Sequence, residues 1–178
     1  MSRRIRYYGD PVLRQKAAPI EEFGTPFLKQ LVQEMDELML KYDGMGLAGP
    51  QVGESLRIFI TRSPYQTDAG LWELGPLEVF INPTLSLPTE DAWKVDEGCV
   101  SIPKLQVPVV RPVGITIDAY DIEGKPFQKT ATGMVARLYM HENDHINGVL
   151  SIDRTDKKSR QRLENALRQI KLKYHSKA

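Results

Sequence analysis

Apolar positions in this chain repeat with two different periods, and the switches between them mark its elements. From Pro26 onward, Leu28, Leu31, Val32, Met35, Leu38, Met39 and Tyr42 recur at helical spacing. Thr25 is a fitting N-cap, Pro26 suits the first helical position, and Gly44 is placed to stop the helix. Residues 56–61 and 77–82 read as strands, 63–76 between them as a polar loop holding Gly and Pro, and 83–88 as an edge segment or turn. Residues 107–110 are β-rich. Val113, Ile115, Ile117 and Ala119 then alternate with Gly114, Thr116, Asp118 and Tyr120, the period of a strand. Asp121 to Lys125, with Gly124, turn a hairpin into a further strand over 126–131.

A second helical stripe follows. With Thr132 as N-cap, Met134, Leu138, His141 and His145 fall on one face, and Gly148 is placed to end the helix. This spacing predicts that the histidines continue an apolar face turned into the core. A third helix over 156–174 has Leu163, Leu167, Ile170 and Tyr174 inward. Its other face is basic, with Lys157, Lys158, Arg160, Arg162, Arg168, Lys171 and Lys173; a solvated surface accounts for it. Residues 1–24 look extended and irregular, with breaks at Gly9-Asp10-Pro11 and Pro19.

Composition narrows the class without deciding it. A chain of 178 residues with 41% apolar and 26% charged content is long enough for one domain with a real core. The net charge of +1 gives no case for DNA or membrane binding. No apolar run approaches the ~20 residues of a membrane span. The basic start has no apolar stretch behind it, so no secretory signal is expected. The lone Cys99 excludes an internal disulfide and fits a reducing compartment. The expectation is a cytoplasmic protein without repeats, low-complexity tracts or linkers.

Candidate chemistry is concentrated in His141-Glu142-Asn143-Asp144-His145. On a helix the two imidazoles stand one turn apart and can grip one divalent cation. Glu142, rotated about 100° from His141, is poorly placed as a third ligand but can reach a water beside the cation. A hydrolytic site needs a third protein ligand and an open position. The spacing His-Glu-x-x-His-x-x-Gly continues to Gly148 and then has Ser151 where a histidine would be required. Glu164 is the downstream carboxylate, but a surface ion pair explains it more simply, and His175 lies close to the terminus, where mobility is expected. Cys99 remains. Alone it reads as a small buried hydrophobe; beside the histidine motif, and in the polar, tight-turning context of Glu97-Gly98, it is the favoured ligand.

Three segments, in order, resemble the signature motifs of the peptide deformylases: Gly44-Met45-Gly46-Leu47-Ala48-Gly49-Pro50-Gln51, Glu97-Gly98-Cys99-Val100-Ser101 and His141-Glu142-Asn143-Asp144-His145. Gly9-Asp10-Pro11-Val12-Leu13-Arg14 is similar to that family's N-terminal segment. The resemblance implies an α+β fold, a single catalytic domain over 1–178 with 155–178 as C-terminal helix and tail. Antiparallel or mixed sheets would pack around a central metal-binding helix, with one helix N-terminal and one C-terminal to it. It implies a hydrolase that removes the N-formyl group from the initiator methionine of nascent peptides. The metal would be Fe2+ in the cell, with Zn2+, Ni2+ or Co2+ in purified protein, held by Cys99, His141 and His145.

Glu142 would be the general base, and the Gln51 amide and Val100 N–H the oxyanion donors. Gly44, Met45 and Gly46 would pair with peptide backbone, and Val95, Glu97, Gly98, Met134, Leu138 and His141 would line the site. A ribosomal contact through the basic helix is a further implied partner. The chain departs from the family pattern at Gly49, Met140, Asn143 and Ile146, and at Leu105-Gln106, where the family often has an arginine facing the substrate. The rivals are another His-Glu-x-x-His hydrolase, which would need Glu164 or His175 as ligand, and a non-enzyme with a structural metal.

Overall fold

Alternating apolar residues and β-branched side chains dominate the middle of the chain, and there it folds into antiparallel sheet. A computed structural model describes residues 3–175. Its elements run α1 (Pro26–Lys41), β1 (Gly46–Ala48), β2 (Ile58–Thr61), β3 (Pro64–Gln66), β4 (Trp72–Leu74), β5 (Glu78–Ser86) and β6 (Ala92–Gly98). Then come β7 (Gln106–Pro112), β8 (Gly114–Tyr120), β9 (Pro126–Thr132), α2 (Gly133–Ile146), α3 (Ser151–Arg154) and α4 (Lys157–His175). One five-stranded sheet has the order β1-β2-β5-β8-β9; β3-β4 and β6-β7 are separate two-stranded ribbons. All pairings between these strands are antiparallel. The fold is α+β, as the resemblance implied.

Helix α2 lies between the layers. Its Ala136, Tyr139, Met140 and Ile146 pack against Phe59 and Phe80 of the large sheet, with the Phe59 and Phe80 rings stacked 4.7 Å apart. Helix α1 covers another part of the core with Leu28, Leu31, Val32, Met35 and Met39. A third cluster joins Leu13, Ile102, Val107 and Val109 to Leu167 and Ile170 of α4. No helix among the described residues is long and apolar enough to cross a membrane.

Local chemistry explains most boundaries and also the differences from expectation. Thr25 Oγ1 accepts from Leu28 N at 3.2 Å and caps α1. The left-handed residue after that helix is Asp43, at φ 53°, and not Gly44. The expected loop at 63–76 is a short hairpin, β3-β4, whose side chains stay mostly exposed; Tyr65 Oη donates to Glu73 across it at 2.9 Å. The segment 83–88 continues β5 through Ser86, because a bulge between Ile81 and Thr84 absorbs Pro83 where it has no N–H to offer. His175 is not loose: its Nε2–H donates to the Tyr7 carbonyl at 3.1 Å.

The stacked pair at the centre of the large sheet gives a stability test. Phe80→Ala should cost about 3–5 kcal/mol, as for other fully buried aromatics; urea unfolding monitored by circular dichroism would measure it.

Candidate metal centre

Helix α2 brings His141 and His145 one turn apart, with Nε2 atoms separated by 3.2 Å. Cys99 follows the last residue of β6, where the chain leaves the ribbon, and its Sγ lies 3.3 Å from His145 Nε2. The ligating atoms of Cys99, His141 and His145 all fall within 4.8 Å of one another. Glu164 is exposed and pairs with Arg160, so neither it nor His175 joins this cluster.

The electrostatics fit a cation. His141 Nδ1 is 2.9 Å from Glu97 Oε2, which leaves Nε2 facing the sulfur and the other imidazole. Burial should lower the pKa of His141, yet Cys99, Glu97 and Glu142 outweigh it and raise the imidazole well above its ordinary value. His145 moves the opposite way, through burial and the charge on its neighbour. Two buried imidazoles this close cannot both carry a proton cheaply, whereas both can offer a lone pair to one divalent ion.

Glu142 is buried at 3% exposure, and its Oε2 has no hydrogen-bond partner among the described residues. Burial is the main cause that pushes its carboxyl up to about 7, a value matched to accepting and returning a proton near neutrality. It lies against Gly46: a Cβ there would sit 2.5 Å from Glu142 Oε1. Any larger residue would displace the acid. Gln51 turns its Oε1 to the Ala48 N–H at 2.8 Å, leaving Nε2 3.3 Å from Ser101 Oγ and 3.6 Å from Cys99 Sγ.

Gly46, Gln51, Cys99, His141 and Glu142 line one cleft of about 580 Å³, together with Gly44, Met45, Glu97, Gly98, Val100, Met134 and Leu138. Val95, half-buried on the ribbon, stands between two partners of Arg137, which donates to Glu97 at 2.7 Å and to the Trp93 carbonyl at 2.8 Å. One expectation needs correction. The stripe of Met134 and Leu138 does not enter the core. It faces the cleft, with Met134 45% exposed.

A family model described as polypeptide deformylase matches residues 2–161. The chain belongs to the polypeptide deformylase family. It is 38% identical over 167 residues to the peptide deformylase of Thermotoga neapolitana, covering 94% of this chain and 95% of that one. It superposes on the crystal structure of a plant peptide deformylase with a TM-score of 0.89 at 35% identity, covering 99% and 92% of the two chains. The peptide deformylase of Thermus thermophilus gives a TM-score of 0.86 at 35% identity over 100% of both.

The deformylase departures acquire physical reasons. At Gly49 a Cβ would come within 2.8 Å of the Glu54 carbonyl and 2.9 Å of that of Leu56, so alanine would not fit without a backbone shift. Met140 and Ile146 are buried in the cluster around Phe59 and Phe80. The residues around the ligands that spacing did not single out are Arg111, Arg137, Asp144 and Arg154. Arg111 binds both oxygens of Glu97 at 2.6 and 2.9 Å and Asp144 at 2.9 Å. Arg154 also binds Asp144, at 2.7 Å. Burial opposes the charge on Glu97, but Arg111 and His141 hold its carboxyl well below the usual range. A signal was present: Arg111 shares the inward period of Val107 and Val109, and Arg137 precedes His141 by one turn.

Glu97→Gln leaves Arg111 and Arg137 short of a buried anion. It should destabilise the protein by about 3–5 kcal/mol and weaken metal binding roughly 10–100-fold, measured by chemical denaturation and by chelator competition.

Proposed function

We propose that this deformylase removes the N-formyl group from the initiator methionine of newly made peptides and releases formate. The observation that carries the reading is the convergence of Cys99, His141 and His145 beside Glu142, whose Oε2 has no partner among the described residues, with Cys99, His141 and Glu142 lining a cleft. The cleft runs along β1, which ends the order of the five-stranded sheet. A divalent cation held by the three ligands supplies Lewis acidity; thiolate and imidazole suit ferrous iron, the ion assigned in the cell, and zinc, nickel or cobalt are its substitutes in purified protein.

Glu142 Oε2 takes a proton from the attacking water as its oxygen bonds to the formyl carbon. Gln51 Nε2 and the Val100 N–H donate to the oxygen that gains charge, each worth on the order of 10²–10³ in rate. Glu142 then returns the proton to the amine nitrogen as the carbon–nitrogen bond breaks. Gly44, Met45 and Gly46 bind peptide backbone by strand addition, which accepts many sequences. Met134, Leu138 and the ring of His141, with Glu97 and Gly98 at the ribbon, surround the methionine side chain. We place the activity in the cytoplasm, where nascent chains emerge and a lone thiol stays reduced.

Formate release from a formyl-Met peptide, measured anaerobically with metal analysis of the same sample, tests this. Glu142→Gln should keep the metal and lose turnover by about 10²–10⁴-fold, whereas Cys99→Ala should lose the metal. A Cys99→Ala protein that retained both would remove the reading.

The exposed basic face of α4, with Lys157, Lys158, Arg162 and Arg168, is assigned to ribosomal RNA near emerging chains. Because Leu167 and Ile170 of the same helix are buried, charge reversal is the sound test and deletion is not. Lys158→Glu with Arg162→Glu should weaken ribosome co-sedimentation in low salt; unchanged co-sedimentation would dismiss this contact.

A further inference from the structure

The cleft has an outer wall built of three tyrosines from three distant parts of the chain. Tyr7, Tyr42 and Tyr174 line the same space as Glu142 and Cys99. Tyr7 and Tyr174 stack at 3.7 Å between centroids, with planes 17° apart. This brings the last turn of α4 to the substrate side of the molecule. The seat is close: a Cβ on Gly9 would come within 2.8 Å of His175 and 2.9 Å of Lys171.

The wall is also tied rigidly to the reacting groups. Arg6 N–H donates to the Gln51 carbonyl at 2.7 Å, and Tyr8 N–H donates to the Ser101 carbonyl at 2.8 Å. Tyr7 therefore stands between one bond to the Gln51 turn and one to the Cys99 loop.

Its position relative to a bound peptide follows from β1. Glu142 against Gly46 marks the reacting end. The Met45 carbonyl accepts from the N–H of Arg62, the residue after β2, at 2.8 Å, so by antiparallel alternation the Gly46 N–H and C=O face the open edge. An extended peptide leaving that point advances about 3.4 Å per residue past Gly44 towards Tyr42. Tyr42 lies two residues before Gly44 and lines the same cleft as Tyr7 and Tyr174, so the wall stands on the side towards which the peptide's second and third residues extend, and alternation turns only one of those two side chains to a given face.

We propose that Tyr7, Tyr42 and Tyr174 form a recognition surface for a residue downstream of the formyl-methionine, favouring a flat apolar or aromatic side chain there. The C-terminal helix is then part of substrate selection. This rests on the deformylase reading, and the experiment separates the two. The full chain is assayed for formate release from formyl-Met-Ala-Ala-Ser, formyl-Met-Phe-Ala-Ser and formyl-Met-Ala-Phe-Ser. One phenylalanine peptide should have a KM lower by roughly 3–10-fold, the scale of a single aromatic contact, with little difference in kcat.

Tyr174→Ala should bring that KM ratio to about one, and Tyr174→Phe should restore it. Tyr42→Ala, a change at an exposed helix end, reports the same loss should Tyr174→Ala prove unstable in a thermal melt. Turnover of the alanine peptide with no phenylalanine advantage, or an advantage that survives both alanine variants, overturns the wall and leaves the deformylase reading standing. No turnover of any peptide by the metal-loaded wild type overturns both.

Discussion

The site depends on one buried carboxylate, Glu97. It receives Arg111 through both oxygens, Arg137 through one, and the Nδ1 of His141. Among the described residues no backbone ladder joins the β6-β7 ribbon to the large sheet, and this charged junction ties the strand that leads into Cys99 to the helix bearing both histidines. Taking such charges out of water is costly unless every partner is matched. Here the second carboxylate, Asp144, completes the match by binding Arg111 and Arg154. The cluster explains why a thiol and two imidazoles from separate elements hold one geometry.

Glycines set the other tight dimension. Gly46 lets the acid rest on the edge strand, and Gly49 lets the turn bearing Gln51 pass under the 54–56 backbone. Gln51 spends its amide oxygen on the Ala48 N–H, which leaves the amide nitrogen directed to the sulfur side of the site. One stretch of eight residues, 44–51, thereby supplies the edge strand, the seat for the acid on α2 and the amide donor.

The cluster of Cys99, His141 and His145 was legible because its chemistry is narrow. Two histidines one turn apart, an acid between them and a lone thiol in a tight acidic turn admit few other uses. The helices α1, α2 and α4 were legible from period and caps, Thr25 and Gly148 among them, whereas the single turn α3 was not. Less legible was where an amphipathic stripe would face. Met134 and Leu138 obey helical spacing as a core face does, yet they line an open cleft, because the ribbon stands across from them without closing on them. The hairpin at 64–74 escaped notice since its strands are short and exposed and carry no buried alternation.

By itself the sequence singled out Cys99, His141 and His145 as a cluster with Glu142 beside it, the β-rich middle and the longer helices that flank it, since these follow from residue type and from periods of two and 3.6. Tertiary structure alone decided that Arg111, Arg137 and Asp144 would converge around Glu97, and that the end of α4 would stack on Tyr7 at the mouth of the cleft. Such pairings join residues far apart in the chain, and no local period records which of them folding will bring into contact.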